Sequence, residues 1–344
     1  MNNFDENPKA YQKTFYIQWH FTENCNLRCK HCYQKSYDLK NISKQEIIKI
    51  AGILDNAMSV WKHKGRVSLT GGEPFLQEDI LFSLLDFFSH AENFYWIGIL
   101  TNGTLIDQNI AKRLKTYPKL KEIQISIDGA TPETHNAIRG KAAFERAIEG
   151  LQCLIRNDLK TSVMCTLTTL NKTEVIDIID LCLNLGVNYL TFERVTPINN
   201  EDKLSLNMNE IKNIYEQIAE RKKLLGKNGL LKIRTSRPLW CLTDSQYGAF
   251  CPVGFTSLCV LHDGGVLPCR RLEIPIGNIL NDGIYKIWYT SPVLWDLRQK
   301  NRMNSTCRLC DFLSQCGGCR AMAYAQYGDY LAIDPHCWKG ISTS

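Results

Sequence analysis

The chain has 344 residues, 44% of them hydrophobic and 22% charged, with a net charge of +6; this is an ordinary globular profile, long enough for one large domain and a smaller one. No apolar run reaches the roughly 20 residues a membrane-spanning helix needs, and the polar, acidic residues 1–10 are no secretory signal, so a cytoplasmic protein with no membrane partner is expected. The basic residues are scattered rather than gathered in a block, which favours a solvated surface over nucleic-acid binding.

In chain order, residues 15–21 form an apolar run that reads as a strand. It is followed by Cys25-x3-Cys29-x2-Cys32, with the aromatic Tyr33 directly after. Three thiolates on one loop suit three corners of a cubane iron–sulfur cluster, and the fourth iron is then open to a substrate or cosubstrate. A zinc loop and three unrelated buried cysteines are the alternatives at this point. Ser43-Lys44-Gln45-Glu46 is a capping box that opens a helix with Ile47, Ile50, Ile53 and Leu54 on one side. Residues 66–70 read as a strand stopped by Gly71-Gly72-Glu73-Pro74, and a helix follows over 78–88. Residues 94–100 form a strand ended by Thr101-Asn102-Gly103, and Asp107 caps a helix through Leu114. The strand at 122–127 ends at Asp128-Gly129. The next helix carries the stripe Phe144, Ala147, Ile148, Leu151, Ile155. A strand at 161–168, a helix at 173–185 capped by Gly186 and a strand at 189–194 complete the series.

Strand and helix thus alternate six times between residues 15 and 194, which predicts an α/β fold with a parallel sheet covered by helices. A doubly wound sheet and a barrel-like arrangement both satisfy the pattern. Either one collects functional residues at the C-terminal ends of strands. The cysteine loop, Gly-Gly-Glu-Pro, Thr-Asn-Gly, Ser126-Ile127-Asp128-Gly129 and Glu193-Arg194 all fall there.

The expected organisation is a tail over 1–14, a core over 15–196, a connector over 197–240 and a C-terminal unit over 241–344. The connector has one helix, about 209–225, closed by Gly226. In the last unit the elements are short, and Gly, Pro and Cys are frequent, so metal is expected to help it fold. Fifteen cysteines are many for a reducing compartment, where metal ligation explains them better than disulfides. Cys153, Cys165 and Cys182 stand alone and read as small buried hydrophobes.

Taken together, Cys25-x3-Cys29-x2-Cys32, Gly71-Gly72-Glu73-Pro74, Ser126-Ile127-Asp128-Gly129 and Arg139-Gly140 resemble the radical S-adenosylmethionine (SAM) enzymes over roughly residues 15–196. The resemblance implies a partial (β/α)6 barrel in which Cys25, Cys29 and Cys32 hold a [4Fe–4S] cluster. The open iron binds SAM, which is cleaved reductively to a 5′-deoxyadenosyl radical. It further implies that Gly71 and Gly72 present carbonyls to the SAM amino group, with Glu73 beside them. Ser126 and Arg139 meet the ribose and carboxylate, a pairing that suits a guanidinium, and Tyr33 lies by the adenine. A flavodoxin or ferredoxin is the implied reductant.

The last third resembles the SPASM extension, which carries auxiliary clusters. Its motifs are Cys251-x12-Gly264-x4-Cys269, then Cys307-x2-Cys310-x5-Cys316-x2-Cys319, then Cys337. The resemblance implies two auxiliary [4Fe–4S] clusters, one on Cys307, Cys310, Cys316 and Cys337 and the other on Cys251, Cys269 and Cys319. Cys241 is the favoured fourth ligand of the second, with Cys259 or an open position as competitors. A zinc ribbon suits the paired Cys-x2-Cys spacing equally well by itself.

An abstraction followed by electron loss to an auxiliary cluster gives an oxidative outcome. The main expectation is a maturase that crosslinks or oxidises a peptide, its leader read by a separate protein because only about 14 residues precede the first strand. The alternative is a haem-type maturase acting on a tetrapyrrole: Cys316-Gly-Gly-Cys-Arg320-Ala, Gly328-Asp329-Tyr330-Leu331-Ala332 and Asp334-Pro335-x-Cys337 resemble the tails of haem-modifying maturases, and also those of quinone-cofactor and mycofactocin peptide maturases, so they do not choose between the two. Sulfatase-type maturation is further off, because Arg270-Arg271 follows Cys269 where that family places an aspartate. A non-catalytic iron–sulfur scaffold would not need the SAM motifs. His20, Glu193, Arg194, Arg270 and Arg271 are substrate-side candidates, though a structural ion pair or buried polar role is the favoured reading for each.

Overall fold

The computed structural model describes residues 14–34, 36–37, 42–197, 203–226 and 229–339. The tail expected over 1–14 lies outside them except for Thr14, which starts the first strand. Six parallel strands, β1 (Thr14–Thr22), β2 (Lys64–Gly71), β3 (Phe94–Thr101), β4 (Leu120–Ser126), β5 (Thr161–Leu167) and β6 (Tyr189–Arg194), lie side by side in chain order. A doubly wound sheet reverses its order at a switch point; this sheet does not, and successive crossovers in one sense curl it as in a barrel.

The alternation in β1 explains the core. Phe15, Ile17, Trp19 and Phe21 are all buried and meet α1 (Lys44–Trp61), which buries Ile47, Ile50, Leu54 and Met58. Ser43 and Glu46 form the expected capping box. The helices α2 (Glu78–His90), α3 (Gln108–Lys115), α4 (Pro132–Arg139), α5 (Ala143–Arg156), α6 (Val175–Leu185) and α7 (Met208–Leu225) follow. Helix α4 was not read from the sequence; it is only eight residues long, capped by Thr131 with Pro132 in its first turn.

Two findings differ from the expected organisation. The connector region contributes a strand, β7 (Lys232–Arg234), which pairs with β6. The C-terminal region is built onto the same sheet. Its β8 (Ser257–Val260) pairs in parallel with the free side of β1, and β9 (Gly265–Leu267) and β10 (Gly277–Asn278) follow antiparallel, completing ten strands. Strands of two to four residues carry too little periodicity to be read in advance. Among the described residues no helix is long and apolar enough to cross a membrane.

Two junctions hold the strand ends. At the first, Gly72 N donates to Thr22 O at 2.8 Å and Glu73 N to Asn24 O at 2.7 Å. A β-carbon on Gly71 would collide with the Thr22 carbonyl, and one on Gly72 with the Asn24 carbonyl. These glycines therefore let β2 press against the start of the cysteine loop. At the second, Arg194 at the end of β6 grips Asp334 with two bonds of 2.8 and 2.9 Å. Asp334 also accepts from Cys319 N at 2.7 Å, so one buried ion pair ties the core to the C-terminal region.

Gly72→Ala is expected to cost about 1–3 kcal/mol through overpacking, read as a lower denaturation midpoint. Asp334→Ala leaves Arg194 as an uncompensated buried charge and is expected to cost about 3–5 kcal/mol, measured by denaturant unfolding followed by tryptophan fluorescence.

Candidate active site

The loop after β1 carries Cys25, Cys29 and Cys32, all partly buried and none in a disulfide. It is held from both sides. Gly72 and Glu73 grip its start, and Lys30 N donates to Ile138 O, at the end of α4, at 2.9 Å. Burial pushes the Cys25 thiol up to about 11, and Cys29 and Cys32 lie close enough to add to the rise. Thiols held this way become ligands when a metal deprotonates them. Among the described residues no three His, Cys, Asp or Glu side chains surround a point that a single ion would occupy. A cluster poses a different demand, since each thiolate binds its own iron.

Glu73 is fully buried and turned inward. Its carboxylate accepts from Phe75 N at 3.1 Å, Thr101 Oγ1 at 2.7 Å and Asn102 N at 2.8 Å, while burial pushes it up to about 7. It thus ties the end of β2 to the end of β3. Arg139 reaches the loop from α4. Its Nε donates to Asp128 Oδ2 at 2.6 Å, and its Nη1 lies 3.8 Å from Cys29 Sγ. Asp128 is held below its usual range despite burial, chiefly by Arg139 and then His31. His31 Nε2 lies 3.3 Å from the same carboxylate. The sequence pointed to the motif around Asp128 but not to this role; the signal was an acid and a base set at strand and helix ends on either side of the loop. Ser126 ends β4, half-buried, paired with Met164.

Tyr33 lies on the C-terminal side of the loop. The Arg270 guanidinium covers its ring at 4.3 Å, and His20 meets it edge-on at 6.4 Å. His20 is buried and held well below its usual range, by burial and then by Arg270 and His262, so it is neutral. Arg270 Nη1 pairs with Glu273 at 2.6 Å. Arg270 Nε and His262 Nδ1 are buried and have no hydrogen-bond partner.

The remaining cysteines fall into two groups. Cys307, Cys310, Cys316 and Cys337 line one cavity of about 370 Å³. Cys251 lies with Cys319 and Cys269, which add to the rise that burial causes, up to about 12. Cys241 stands apart from the sequence expectation. It hydrogen-bonds Cys316 and lies near Cys310, in the first group rather than with Cys251. That bond, ahead of backbone N–H donors from Gly318 and Leu239, draws the Cys316 thiol down to about 7. Cys259, on β8, is the thiol near Cys269.

For two of the substrate-side candidates the structure has the ion pairs that the sequence reading favoured. Arg194 does not face an open carboxylate site, because Asp334 occupies it and His336 Nδ1 lies 2.9 Å from its Nη1. Glu193 is closed off by Arg237 and by Arg271, whose Nη1 lies 3.0 Å away. Arg271 itself sits near Cys319 and Cys269.

Comparison with known proteins matches residues 19–182 to the radical SAM superfamily and residues 251–311 to the SPASM iron–sulfur cluster-binding domain. The AdoMet-dependent heme synthase of Methanosarcina barkeri (strain Fusaro / DSM 804) is 28% identical over 342 residues, covering 93% of this chain and 95% of that protein. The structure of Streptococcus suis SuiB bound to S-adenosylmethionine superposes with a TM-score of 0.76 at 17% identity, covering 95% of this chain and 78% of SuiB. SuiB bound to the precursor peptide SuiA gives 0.74 at 16% identity, with 95% and 76% covered. The strand order and the two matched regions agree: this chain is an enzyme that carries a radical SAM domain, which binds a [4Fe–4S] cluster and SAM, and a SPASM domain, which binds auxiliary iron–sulfur clusters.

Proposed function

We propose that this enzyme oxidatively modifies an iron tetrapyrrole that bears carboxylate side chains. The observation that carries the reading is the similarity to a heme synthase along nearly the whole of both chains. A cluster and SAM held by the core would supply hydrogen-atom abstraction from the substrate, and clusters held by the C-terminal cysteines would supply an acceptor for the electron the substrate then gives up.

The roles proposed for the chain's own residues follow from their placement. Cys25, Cys29 and Cys32 hold the core cluster, and Arg139 stabilises Cys29 as a thiolate while Asp128 and His31 fix its guanidinium. Glu73 acts by joining the ends of β2 and β3, which leaves the carbonyls of Gly71 and Gly72, with Ser126, as the SAM contacts. Tyr33 backs the adenine side. Cys307, Cys310, Cys316 and Cys337 hold one auxiliary cluster, with Cys241 supporting Cys316. Cys251, Cys269 and Cys319 hold the other, beside Cys259. The core extends over about residues 15–196 and borrows β8 as a further strand.

For the substrate, the unpartnered donor Arg270 Nε beside neutral His20 and His262 forms a polar patch next to Tyr33. A side-chain carboxylate would complete the hydrogen bonding of Arg270, and a charge-assisted bond suits it. A peptide substrate is the second reading, favoured by the likeness in fold to SuiB with its precursor peptide. A flavodoxin or ferredoxin serves as reductant in either case.

The deciding assay incubates the anaerobically reconstituted enzyme with SAM, reductant and iron coproporphyrin III, and follows 5′-deoxyadenosine and porphyrin mass. Substrate-dependent deoxyadenosine with a porphyrin of lower mass is expected. An unchanged porphyrin, with modification of a peptide encoded beside the gene, would overturn the tetrapyrrole reading. Arg270→Met is expected to raise KM for the porphyrin roughly 10- to 100-fold, the loss of a hydrogen bond to a charged group. SAM cleavage without substrate, measured by deoxyadenosine release, should fall by much less than that, since Arg270 meets the SAM side only through the Tyr33 ring.

A further inference from the structure

Arg320 opens the helix Arg320–Tyr327 directly after Cys319 and is 7% exposed. A guanidinium stays protonated in a protein, so this is a buried positive charge. Its Nη1 donates to the carbonyls of Tyr330 at 3.0 Å and Ala332 at 2.7 Å. Its Nε and Nη2 are buried and have no hydrogen-bond partner, and no carboxylate pairs with it among the described residues. The neighbouring buried cations differ in this respect. Arg139 has Asp128, Arg194 has Asp334, Arg270 has Glu273 and Arg271 has Glu193. A buried charge left without compensation is strongly destabilising, so the compensation for Arg320 must come from something else in its surroundings.

Those surroundings combine apolar side chains, the Asp334 side chain, whose carboxylate is already paired with Arg194, and thiols. On one side Arg320 lies close enough to Cys307 to act on its thiol. On the other it lines a small cavity with Cys251, Gly317 and Gly318. The backbone is shaped to admit it. Gly317 and Gly318 both adopt left-handed conformations, at φ +71° and +65°, and a β-carbon on Gly318 would lie 2.6 Å from Arg320 Nη2. Gly318 thus makes room for the guanidinium, while Gly317 makes room for the Phe250 ring beside it.

We propose that the unpartnered N–H groups of Arg320 face the thiolate sulfurs of the auxiliary clusters, and that Arg320 is the buried counter-charge that raises the reduction potential of those clusters. Net charge and hydrogen bonds to sulfur are the levers that set such potentials. A cation beside a thiolate-bound cluster favours its reduced, more negative form, which is the property an electron acceptor needs. Arg320 is on this account a positioning residue, acting through the clusters rather than on the substrate. The inference rests on assigning the two cysteine groups to auxiliary clusters; iron and sulfide content of the wild-type enzyme tests that assignment separately.

The experiment compares the full-length, anaerobically purified holoenzyme with Arg320→Gln and Arg320→Lys by redox titration followed by electron paramagnetic resonance. Arg320→Gln should lower the potential of at least one auxiliary cluster so that the ratio of reduced to oxidised form falls at least tenfold at a fixed potential, about 59 mV for a one-electron couple. Arg320→Lys, which keeps the charge but not the fork of donors, should shift it less. The core cluster in the same sample should not move. Auxiliary clusters lost from Arg320→Gln but kept by Arg320→Lys would also support the charge role. Unchanged auxiliary potentials in Arg320→Gln, an equal shift in all clusters, or equal loss of iron from both variants would overturn the proposal.

Discussion

Strand β1 is hydrogen-bonded along both edges, to β2 on one side and to β8 on the other. The cysteine loop that follows it therefore emerges at the seam between the core and the C-terminal region. On one flank stand the carbonyl-rich turn of β2 and the Glu73 network; on the other stand His262, Arg270 and the first of the auxiliary thiols. A parallel strand buried on both sides has little freedom to shift, because a one-residue slip would turn Phe15, Ile17, Trp19 and Phe21 out of the core. The position of the three loop cysteines relative to both regions is set by that constraint.

The second organising feature is charge. Thiolates and inorganic sulfide gather negative charge at three places, and the chain answers with buried arginines. Arg139 lies 3.8 Å from Cys29 Sγ, Arg271 beside Cys319 and Cys269, and Arg320 beside Cys307. Most of these are braced by a carboxylate that fixes the guanidinium at its planar fork. Asp128, just past β4, and Asp334, on Arg194 at the end of β6, are such braces, each buried and each bound also to a backbone N–H near a cysteine group or strand end. The protein thus places buried arginines beside each of its cysteine groups.

Much of this was legible in the sequence, and the reasons differ by region. The alternating strands and helices were readable because each is long enough to show its period, and the capping residues Ser43, Asp107 and Gly186 marked the ends. The loop cysteines stood out by spacing as candidate metal ligands, while the division of the later cysteines into two groups came from the resemblance to the SPASM extension. The sharing of the sheet was not, since β7 to β10 have two to four residues each, and the pairing that joins the two regions, β8 with β1, links residues some 240 positions apart. The roles of single charged residues were the least readable. Arg194 and Arg139 are equally suited by type to grip a ligand carboxylate, and only the position of Asp334 and Asp128 distinguishes a latch from a residue facing the loop. The placement of Cys241 likewise depends on a fold-back that brings it to Cys316, 75 positions on.

The most direct test of this account is a count of the clusters. Mössbauer spectroscopy with iron and sulfide analysis of the anaerobically reconstituted chain should find three [4Fe–4S] clusters, about twelve irons per chain, and replacing Cys25, Cys29 and Cys32 by alanine should remove about a third of them and leave the auxiliary signals in place. A colourless protein with zinc and no labile sulfide, or a single cluster that vanishes with the loop cysteines, would contradict it.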